Sequence, residues 1–369
     1  MSLAGRRDDV LEAAGQFALP AAVTDVSVLE RGHIHQSFVV TCHCANGPAR
    51  FLFQAINVCV FRQPHVLMRN AELVTRHLVA TAEPSSICLR LVATKVGAFL
   101  WRDQAGNYWR AFHFIDGSVS FDAVRTASQA FDVGRAFGRF QHQMLGLDVD
   151  RLQATIPDFH HTAVYYRKLE AAVGSDRHGR LSEVRDVVQN ARRHHSLIGE
   201  LDELVETGQI PLRIAHNDAK LDNVLFDENS AQPMCVIDLD TVMPGLAIHD
   251  FGDLVRTSSG RFTEDEPDLG KVDVDLDLFR SLAEGYLVDA YEFLTVAEIE
   301  HMVYAAKLIT FETGVRFLTD HLAGDTYFHV RHPGHNLERC QVQFRLLECI
   351  ESNERTMVDI VNAAVSKLG

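Results

Sequence analysis

Apolar and polar residues alternate in short runs along the first third of the chain, the pattern of β-strands. Turn residues such as Asn46-Gly47-Pro48 separate the runs, as hairpins require. The predicted strands cover residues 26–29, 37–41, 50–54, 87–92, 98–101 and 108–112. One helical period follows Pro64. This part of the sequence therefore predicts a small antiparallel sheet with one helix.

Beyond Gly117 the hydrophobic period lengthens to that of amphipathic helices. Helical periods cover residues 127–144, 181–207, 276–293, 297–318 and 336–365. Between them lies one β-rich insert, made of residues 213–215, 223–226 and 234–237. We therefore expect an α+β fold of two lobes, with a small β lobe over residues 1–115 and a larger, mainly helical lobe over residues 116–369.

Composition narrows the possible partners and the compartment. Of the 369 residues, 47% are apolar and 23% charged, as in ordinary globular proteins, and no apolar run is long enough to cross a membrane. The net charge of -15 disfavours nucleic acid as a partner. Seven scattered cysteines show no C-x-x-C spacing, and charges occupy the start of the chain where a signal peptide would be apolar. We expect a cytoplasmic protein with free thiols.

Two short stretches carry the residue types that phosphoryl transfer requires, namely a carboxylate that orients the attacking hydroxyl and oxygen ligands for Mg²⁺. Asp218 is the predicted base, Asn223 supplies a carbonyl ligand, and Asp238 ends an apolar run as the main metal carboxylate. Lys220 lies within reach of the transferred phosphoryl group. The pattern H-x-D-x-K-x-x-N matches the catalytic loop of protein kinases. The spacing predicts a phosphotransferase with a protein-kinase-like fold that uses ATP and Mg²⁺.

Three further residues surround this block. Asp240 follows Asp238 by two positions on a predicted strand, so both side chains would point the same way, toward the metal or a bound hydroxyl. Asp250-Phe251-Gly252 spells the metal-binding triplet of protein kinases, but it lies 27 residues after Asn223, whereas Asp238 lies 15 residues after it. Only the shorter spacing fits one hairpin. We therefore assign Asp250, together with His216, to support of the catalytic loop.

The block from His216 to Asn223, with Ile237-Asp238-Leu239-Asp240 and Asp250-Phe251-Gly252-Asp253, resembles the aminoglycoside phosphotransferase and choline kinase superfamily. The closer similarity is to the N-acetylhexosamine 1-kinase group. The resemblance covers most of the chain. It implies an ATP- and Mg²⁺-dependent transferase that phosphorylates the anomeric hydroxyl of an N-acetylated hexosamine.

The resemblance also implies a nucleotide site in the small lobe. Residues 32–38 are similar to the group's phosphate-covering hairpin, and residues 112–117 are similar to its hinge between the lobes. The residues assigned to the nucleotide in this way are Gly32, Ser37, Gln54, Phe114 and Asp116.

The chain departs from the superfamily pattern at the residues expected to bind the phosphates. Gln54 stands where many superfamily members carry a phosphate-pairing lysine, and Ala55 stands where the sugar-kinase group commonly has an arginine. Neutralisation of the phosphates is therefore expected to rest on the metal, Lys220 and backbone donors, with Arg62 as a possible addition.

The resemblance places the acceptor on the large lobe, at Arg316, Tyr327 and His160, with Asp240 as a further contact. Arg316 has the donor fork that holds adjacent hydroxyls or an acetamido carbonyl. Both tryptophans fall in the small lobe, which disfavours an aromatic cage for choline, and residues 316–339 are too basic for an aminoglycoside. The alternatives are a kinase for a choline-, amino-alcohol- or aminoglycoside-like acceptor, or a weakly active nucleotide-binding pseudokinase.

Overall fold

The computed structural model describes residues 3–29, 34–45, 47–83 and 86–369. The chain forms two compact units. The small unit contains the residues up to Val119 together with Asp150–Pro157 and Phe226–Met243. The large unit contains Ser120–Val149, Asp158–Leu225 and Pro244–Gly369.

Five antiparallel strands form the main sheet of the small unit, in the order β1-β2-β3-β5-β4. They are β1 (Val23–Leu29), β2 (Gln36–Cys44), β3 (Gly47–Ala55), β4 (Trp101–Arg102) and β5 (Tyr108–His113). β2 and β3 form a hairpin whose register pairs Cys44 with Gly47. Gly47 has φ 110, a value that suits glycine and few other residues at a tight turn.

Alternation along the strands explains which face of this sheet is buried. Phe38, Val40 and Cys42 of β2 share one face with Phe51 and Phe53 of β3, and all five are buried. Helix α1 (Leu3–Ala14) packs its own buried residues into the same core. Helix α2 (Pro64–Thr81) begins with proline, which has the backbone angle of a first helical turn. The predicted helix after Pro64 is confirmed.

The strand predicted over residues 87–92 is wrong. Leu91 makes one isolated bridge to Phe112, and the rest of the segment has no ladder. β4 pairs with β5 only at Tyr108 and Trp109, and the segment meets the rest of that edge through two backbone hydrogen bonds, from Val92 N–H to Ala111 and from His113 N–H to Arg90. Alternating apolar residues make a segment extended, but a strand also needs a continuous ladder along its partner.

A second, three-stranded sheet contains β6 (Ser118–Val119), β8 (Val224–Asp227) and β9 (Pro233–Val236), with β8 in the middle. It explains why residues 226–243 pack with the small unit although they follow the helical half in sequence. The predicted boundary at residues 115/116 follows the change in hydrophobic period. That change does not reveal which later segment returns to pair with an earlier strand.

Helices dominate the large unit. They are α3 (Ala127–Met144), α4 (Thr162–Ser175), α5 (Arg185–Arg193), α6 (Glu200–Glu206), α7 (Ala247–Ser258), α8 (Leu276–Ala290), α9 (Val296–Glu300), α10 (Met302–Leu322) and α11 (His335–Val365). Strand β7 (Arg213–Ala215) pairs with β10 (Met243–Gly245). The two-lobe α+β prediction is confirmed.

Glycines let α3 and α8 pack backbone against backbone. A Cβ atom on Gly285 would lie 2.0 Å from the carbonyl oxygen of Phe131, and one on Gly134 would lie 2.2 Å from that of Leu282. No side chain fits such a separation. This contact fixes α3, which carries a residue that supports the catalytic loop.

Two differences from the predicted helices have clear causes. The predicted helix over residues 181–207 is broken into short turns, α5 and α6, and Gly199 precedes α6 with φ 104, which no continuous helix contains. Helix α7 was missed although His249, Asp250, Asp253 and Arg256 recur at helical spacing, because these polar residues are buried with the rest of the helix and form no solvent-exposed face. Within the described part of the chain, no helix is both long and apolar enough to span a membrane.

Candidate active site

The loop between β7 and β8 brings three of the predicted site residues together in the large unit. Asn223 donates from Nδ2 to the backbone oxygen of Asp218 at 2.8 Å and to its carboxylate Oδ2 at 3.0 Å. Lys220 Nζ lies 3.2 Å from the same carboxylate oxygen. The predicted base, the predicted lysine and a predicted metal ligand are therefore neighbours.

The environment of Asp218 keeps its carboxylate ionised. Burial alone would raise the pKa of Asp218, but the Lys220 and His216 charges and the hydrogen bonds from Lys220 and Asn223 lower it overall. The Asp218 side chain nevertheless keeps 28% of its surface exposed. An ionised and accessible carboxylate can orient a hydroxyl group and accept its proton, and the adjacent ammonium can compensate negative charge on a phosphoryl group.

Asp250, in the first turn of α7, holds the start of this loop. Its carboxylate accepts the backbone N–H groups of His216 at 2.8 Å and Asn217 at 2.6 Å, and the side-chain amide of Gln141 at 2.6 Å. Gln141 is fixed in turn by the hydroxyl of Tyr286, at 2.5 Å. Asn217 has the left-handed value φ 61, which a non-glycine residue adopts only where its surroundings hold it. The His216 ring packs edge-on against Phe137 and Phe140 of α3.

The prediction that Asp238 and Asp240 share one face of a strand is wrong. β9 ends at Val236, Asp238 has the left-handed values φ 59 and ψ 63, and Asp240 lies in a 3₁₀ turn formed by Leu239–Thr241. The left-handed residue interrupts the extended backbone, so the alternation of a strand does not continue beyond it.

Asp240 is buried in the small unit, where an arginine and a histidine donate hydrogen bonds to its carboxylate. Arg110 of β5 makes a two-pronged ion pair with both oxygens, and Arg110 Nη2 lies 2.7 Å from Oδ2. His35 Nδ1 accepts the N–H of Asn57, so His35 Nε2 carries a proton and donates it to Asp240 Oδ2 at 2.5 Å. Burial raises the pKa of Asp240, but Arg110 and His35 outweigh burial and hold it well below its usual value. Both oxygens of Asp240 are thus engaged within the protein.

The predicted nucleotide residues lie at two places in the small unit. Gln54 donates to the hydroxyl of the buried Ser37 at 3.1 Å and accepts from Arg110 Nε at 3.0 Å. The guanidinium of Arg110 therefore lies beside Gln54, the residue that stands in place of the phosphate-pairing lysine. Phe114 lies beneath the guanidinium of Arg50, which also pairs with Asp116 at 2.5 Å. Gly32 lies outside the described residues.

Arg316, a predicted acceptor contact, is enclosed by aromatic rings of the large unit. Its Cζ atom lies 5.2, 5.0 and 5.6 Å from the ring centres of Phe159, Tyr165 and Phe328. Tyr327 is half exposed, and its phenol forms a hydrogen bond with Arg316. The large unit therefore does contain an aromatic cage, built from phenylalanine and tyrosine instead of tryptophan, and a guanidinium of the protein fills it.

His160 is differently placed from the prediction. Its Nδ1 lies 2.9 Å from Glu312 Oε1 and its Nε2 lies 2.9 Å from the backbone oxygen of Asn217. Both ring nitrogens are occupied within the protein, and neither can donate to a sugar. The predicted contact between His160 and the acceptor therefore has no donor atom in this arrangement.

The donor chemistry fits a hard cation. Among the described residues no cluster of three or more His, Cys, Asp or Glu is arranged to hold a metal. Mg²⁺ does not need such a cluster, since it usually takes one or two carboxylates plus substrate phosphates. Asn223 uses its amide nitrogen on Asp218, and its Oδ1 receives no hydrogen bond from any described residue. That carbonyl oxygen and the carboxylate of Asp238 are ligands of the type Mg²⁺ prefers.

The sequence prediction missed three polar residues that hold these segments. Arg110, Glu312 and Gln141 are all buried, and each bonds to a residue more than 100 positions away. Arg110 is the one charged residue among the apolar neighbours of β5, and Glu312 is the one carboxylate in the buried middle of α10. A charged residue is rarely buried unless it is paired, so a charge within an apolar element could have indicated a distant partner.

Comparison with known proteins supports a kinase-type enzyme. Similar solved structures include a microcompartment-associated aminopropanol kinase (14% identity, TM-score 0.58, covering 95% of this chain and 98% of that one). A spectinomycin phosphotransferase bound to ADP and spectinomycin is 13% identical, with a TM-score of 0.52 and coverages of 97% of this chain and 98% of that one. Choline kinase from Cryptosporidium parvum Iowa II is 15% identical, with a TM-score of 0.51 and coverages of 92% and 93%. Residues 69–285, more than half of the chain, match the family model described as the phosphotransferase enzyme family, APH. The chain belongs to this phosphotransferase family.

Proposed function

We propose that the protein is an ATP- and Mg²⁺-dependent kinase of a small hydroxylated molecule, with Asp218 as the catalytic base. The observation that carries the proposal is the geometry of Asp218, whose ionised carboxylate is held by Asn223 and Lys220 yet remains accessible. In phosphoryl transfer the protein mainly positions the reactants and compensates charge. Asp218 would orient the hydroxyl and accept its proton, while Lys220 would stabilise the transferred group.

For the metal we propose Asn223 and Asp238 as ligands. When held by these residues, Mg²⁺ would offset the negative charge of the substrate phosphates. Asp240, which the sequence suggested as a third ligand and as an acceptor contact, is better explained as the anion that holds Arg110 and His35. A carboxylate that already has a two-pronged arginine and a histidine has little capacity left for a cation.

We propose the small unit as the nucleotide site, with Gly32, Ser37, Gln54, Phe114 and Asp116 as its residues. The ADP complex of a structurally similar phosphotransferase supports the use of a nucleotide. Gln54 has no charge to offer a phosphate, and its amide is already committed to Ser37 and Arg110. Compensation of phosphate charge would then rest on Mg²⁺, Lys220 and backbone N–H groups.

We propose a sugar as the acceptor, an N-acetylated hexosamine phosphorylated at its anomeric hydroxyl. Arg316 and Tyr327 would contact it. Support comes from the aromatic cage of Phe159, Tyr165 and Phe328, because a cation of the protein already fills it. A second cation placed beside Arg316 would be repelled, whereas the hydroxyl and carbonyl groups of a sugar can accept its N–H groups.

The decisive experiment measures ADP release from ATP and Mg²⁺ with a panel of free sugars. Turnover of an N-acetylhexosamine, and none of its methyl glycoside, is expected because the glycoside lacks the anomeric hydroxyl. Equal turnover of the glycoside would place the phosphate on another hydroxyl. Asp218→Asn should lower kcat by about 10² to 10⁴. Asp186→Asn, on an exposed carboxylate at the start of α5, is the matched control and should leave kcat unchanged. Equal rates in Asp218→Asn and wild type would contradict the mechanism.

A second candidate acceptor is a small amino alcohol, which the similarity to aminopropanol and choline kinases favours. Its ammonium would need the aromatic cage that Arg316 fills. Arg316→Met would vacate the cage and should improve an amino alcohol as substrate while weakening a sugar. If the wild-type enzyme phosphorylates amino alcohols and no sugar, this candidate replaces the first.

A further inference from the structure

The ring of His160 lies between a buried carboxylate and the backbone of the catalytic loop. Its side chain is 6% exposed and that of Glu312 is fully buried. Glu312 Oε2 also accepts the hydroxyl of Thr162 at 2.7 Å, so Glu312 fixes both His160 and the first residue of α4. Polar groups from three separate parts of the chain, namely residues 160–162, the catalytic loop and α10, thus meet in one buried cluster.

The protonation state of His160 follows from its two partners. A backbone carbonyl oxygen can only accept, so Nε2 carries a proton and donates to Asn217. Burial alone would lower the pKa of His160, but the charge of Glu312 and its hydrogen bond raise it overall. The pKa of Glu312 is lowered, because His160 outweighs the effect of burial there too. The pair is an imidazolium and a carboxylate, and both ring nitrogens donate.

The carbonyl that His160 holds belongs to the peptide between Asn217 and Asp218. A peptide group is planar, so fixing its oxygen fixes the N–H and Cα of the next residue as well. Asp250 holds the preceding N–H groups, and His160 holds the following carbonyl. The left-handed Asn217 is therefore held on both sides, and Asp218 leaves the backbone from a defined plane.

Other charged and titratable groups near His160 are compatible with this state. Asp253 favours the cation and Arg316 opposes it. The His249 ring lies 5.3 Å away, and burial together with the charge of His160 lowers the pKa of His249 to about 3, so His249 stays neutral.

We infer that His160 is a positioning residue for Asp218, which it orients through the Asn217 carbonyl while Glu312 holds it in place. This inference rests on the proposed role of Asp218 as the base. It removes His160 from the list of acceptor contacts. It also connects two parts of the site, because Arg316 follows Glu312 by one turn of α10 and packs on Phe159, the neighbour of His160.

Paired variants isolate the hydrogen bond to Asn217. The amide nitrogen of glutamine can take the position of Nε2, whereas that of asparagine takes the position of Nδ1. Both are placed in a Glu312→Gln background, so that neither leaves a buried carboxylate unpaired. His160→Asn/Glu312→Gln should lower kcat about 10- to 100-fold relative to His160→Gln/Glu312→Gln, with little change in acceptor KM. A rise in acceptor KM at unchanged kcat would overturn the positioning role.

Nuclear magnetic resonance tests the inference without turnover. In wild type labelled with ¹⁵N-histidine, the ring that disappears in the His160→Gln/Glu312→Gln variant should have both nitrogens protonated at pH 7.5, where an ordinary histidine is mostly neutral. The Asp218 amide signal should move in the asparagine variant and stay in the glutamine variant. A neutral ring, or an unchanged amide in both variants, would refute the inference. If the protein does not phosphorylate the proposed sugar, the kinetic comparison is made with another acceptor, and the nuclear magnetic resonance signals are unaffected.

Discussion

The strongest prediction concerns Asp250→Asn, which replaces the carboxylate that holds the start of the catalytic loop. Asp250 is fully buried and accepts from His216, Asn217 and Gln141. Asparagine keeps the shape but offers one oxygen and one NH₂ group. If the asparagine oxygen takes the place of Oδ2, the N–H of Asn217 faces the NH₂ group. If the oxygen takes the place of Oδ1, the N–H of His216 and the side-chain amide of Gln141 face the NH₂ group.

The local network prevents an easy repair. Rotating the Gln141 amide would break its bond to Ala247 O at 3.1 Å and that from Tyr286 at 2.5 Å. At least one buried donor stays unsatisfied, at about 1–3 kcal/mol, and the remaining bonds lose their charge assistance, at about 1 kcal/mol. Relief of the desolvation that raises the pKa of Asp250 offsets part of this. We expect the free energy of unfolding to fall by about 2–3 kcal/mol.

Urea unfolding followed by far-ultraviolet circular dichroism suits this test, because most helices belong to the large unit that contains Asp250. Tryptophan fluorescence does not suit it, since Trp101 and Trp109 lie in the small unit. The left-handed Asn217 should relax once it is released, so kcat should also fall about 10-fold or more. Asp186→Asn is the control. An unfolding free energy within about 0.5 kcal/mol of wild type, with unchanged kcat, would refute the reasoning.

Three further predictions concern stability. Arg110→Met leaves the Asp240 carboxylate buried with His35 as its remaining side-chain donor, so it should destabilise by about 3 kcal/mol in urea unfolding, and adding Asp240→Asn should recover part of the loss. Gly285→Ala puts a Cβ 2.0 Å from a backbone oxygen of α3 and should lower the thermal midpoint by several degrees or abolish folding, whereas Gly174→Ala, with open space around it, should not. The pKa of His160 is raised in the folded protein above its value of 6.5 in the unfolded chain. The stabilisation from its protonation is therefore fully present below pH 6.5 and is lost as the pH rises through the folded-state pKa. The advantage of wild type over His160→Gln in unfolding free energy should therefore shrink as pH rises above about 6.5, and an advantage that grows with pH would contradict the pairing.

How much could be predicted from the sequence depends on how far apart the interacting residues lie. Asp218, Lys220 and Asn223 fall within six consecutive positions, so their spacing alone placed them together. The strand and helix periods likewise predicted the sheet of the small unit and the long helices α3, α8, α10 and α11. Local patterns carry this information because the backbone geometry of a short segment is nearly fixed.

Partners that are distant in sequence could not be predicted in this way. Arg110 and Asp240 are 130 positions apart, and His160 and Glu312 are 152 apart. A hydrophobic pattern says that a lone charge lies in a buried element, but it does not say which opposite charge meets it. The roles assigned to Asp240 and His160 failed for this reason, because each was read as a free group facing a ligand.

Three of the seven non-glycine residues with positive φ in the described part of the chain, Asn217, Asp238 and His160, lie in the segments that carry the proposed chemistry. Asn217, which precedes the proposed base, and Asp238, a proposed metal ligand, both have left-handed φ values near 60°. Each such residue costs about 1–2 kcal/mol, and neither position is glycine. Asn217 is held by Asp250 on one side and His160 on the other. A fold selected for stability alone would place glycine at such positions. Side chains kept there at a cost in stability indicate that the direction in which they and their neighbours leave the backbone matters to function.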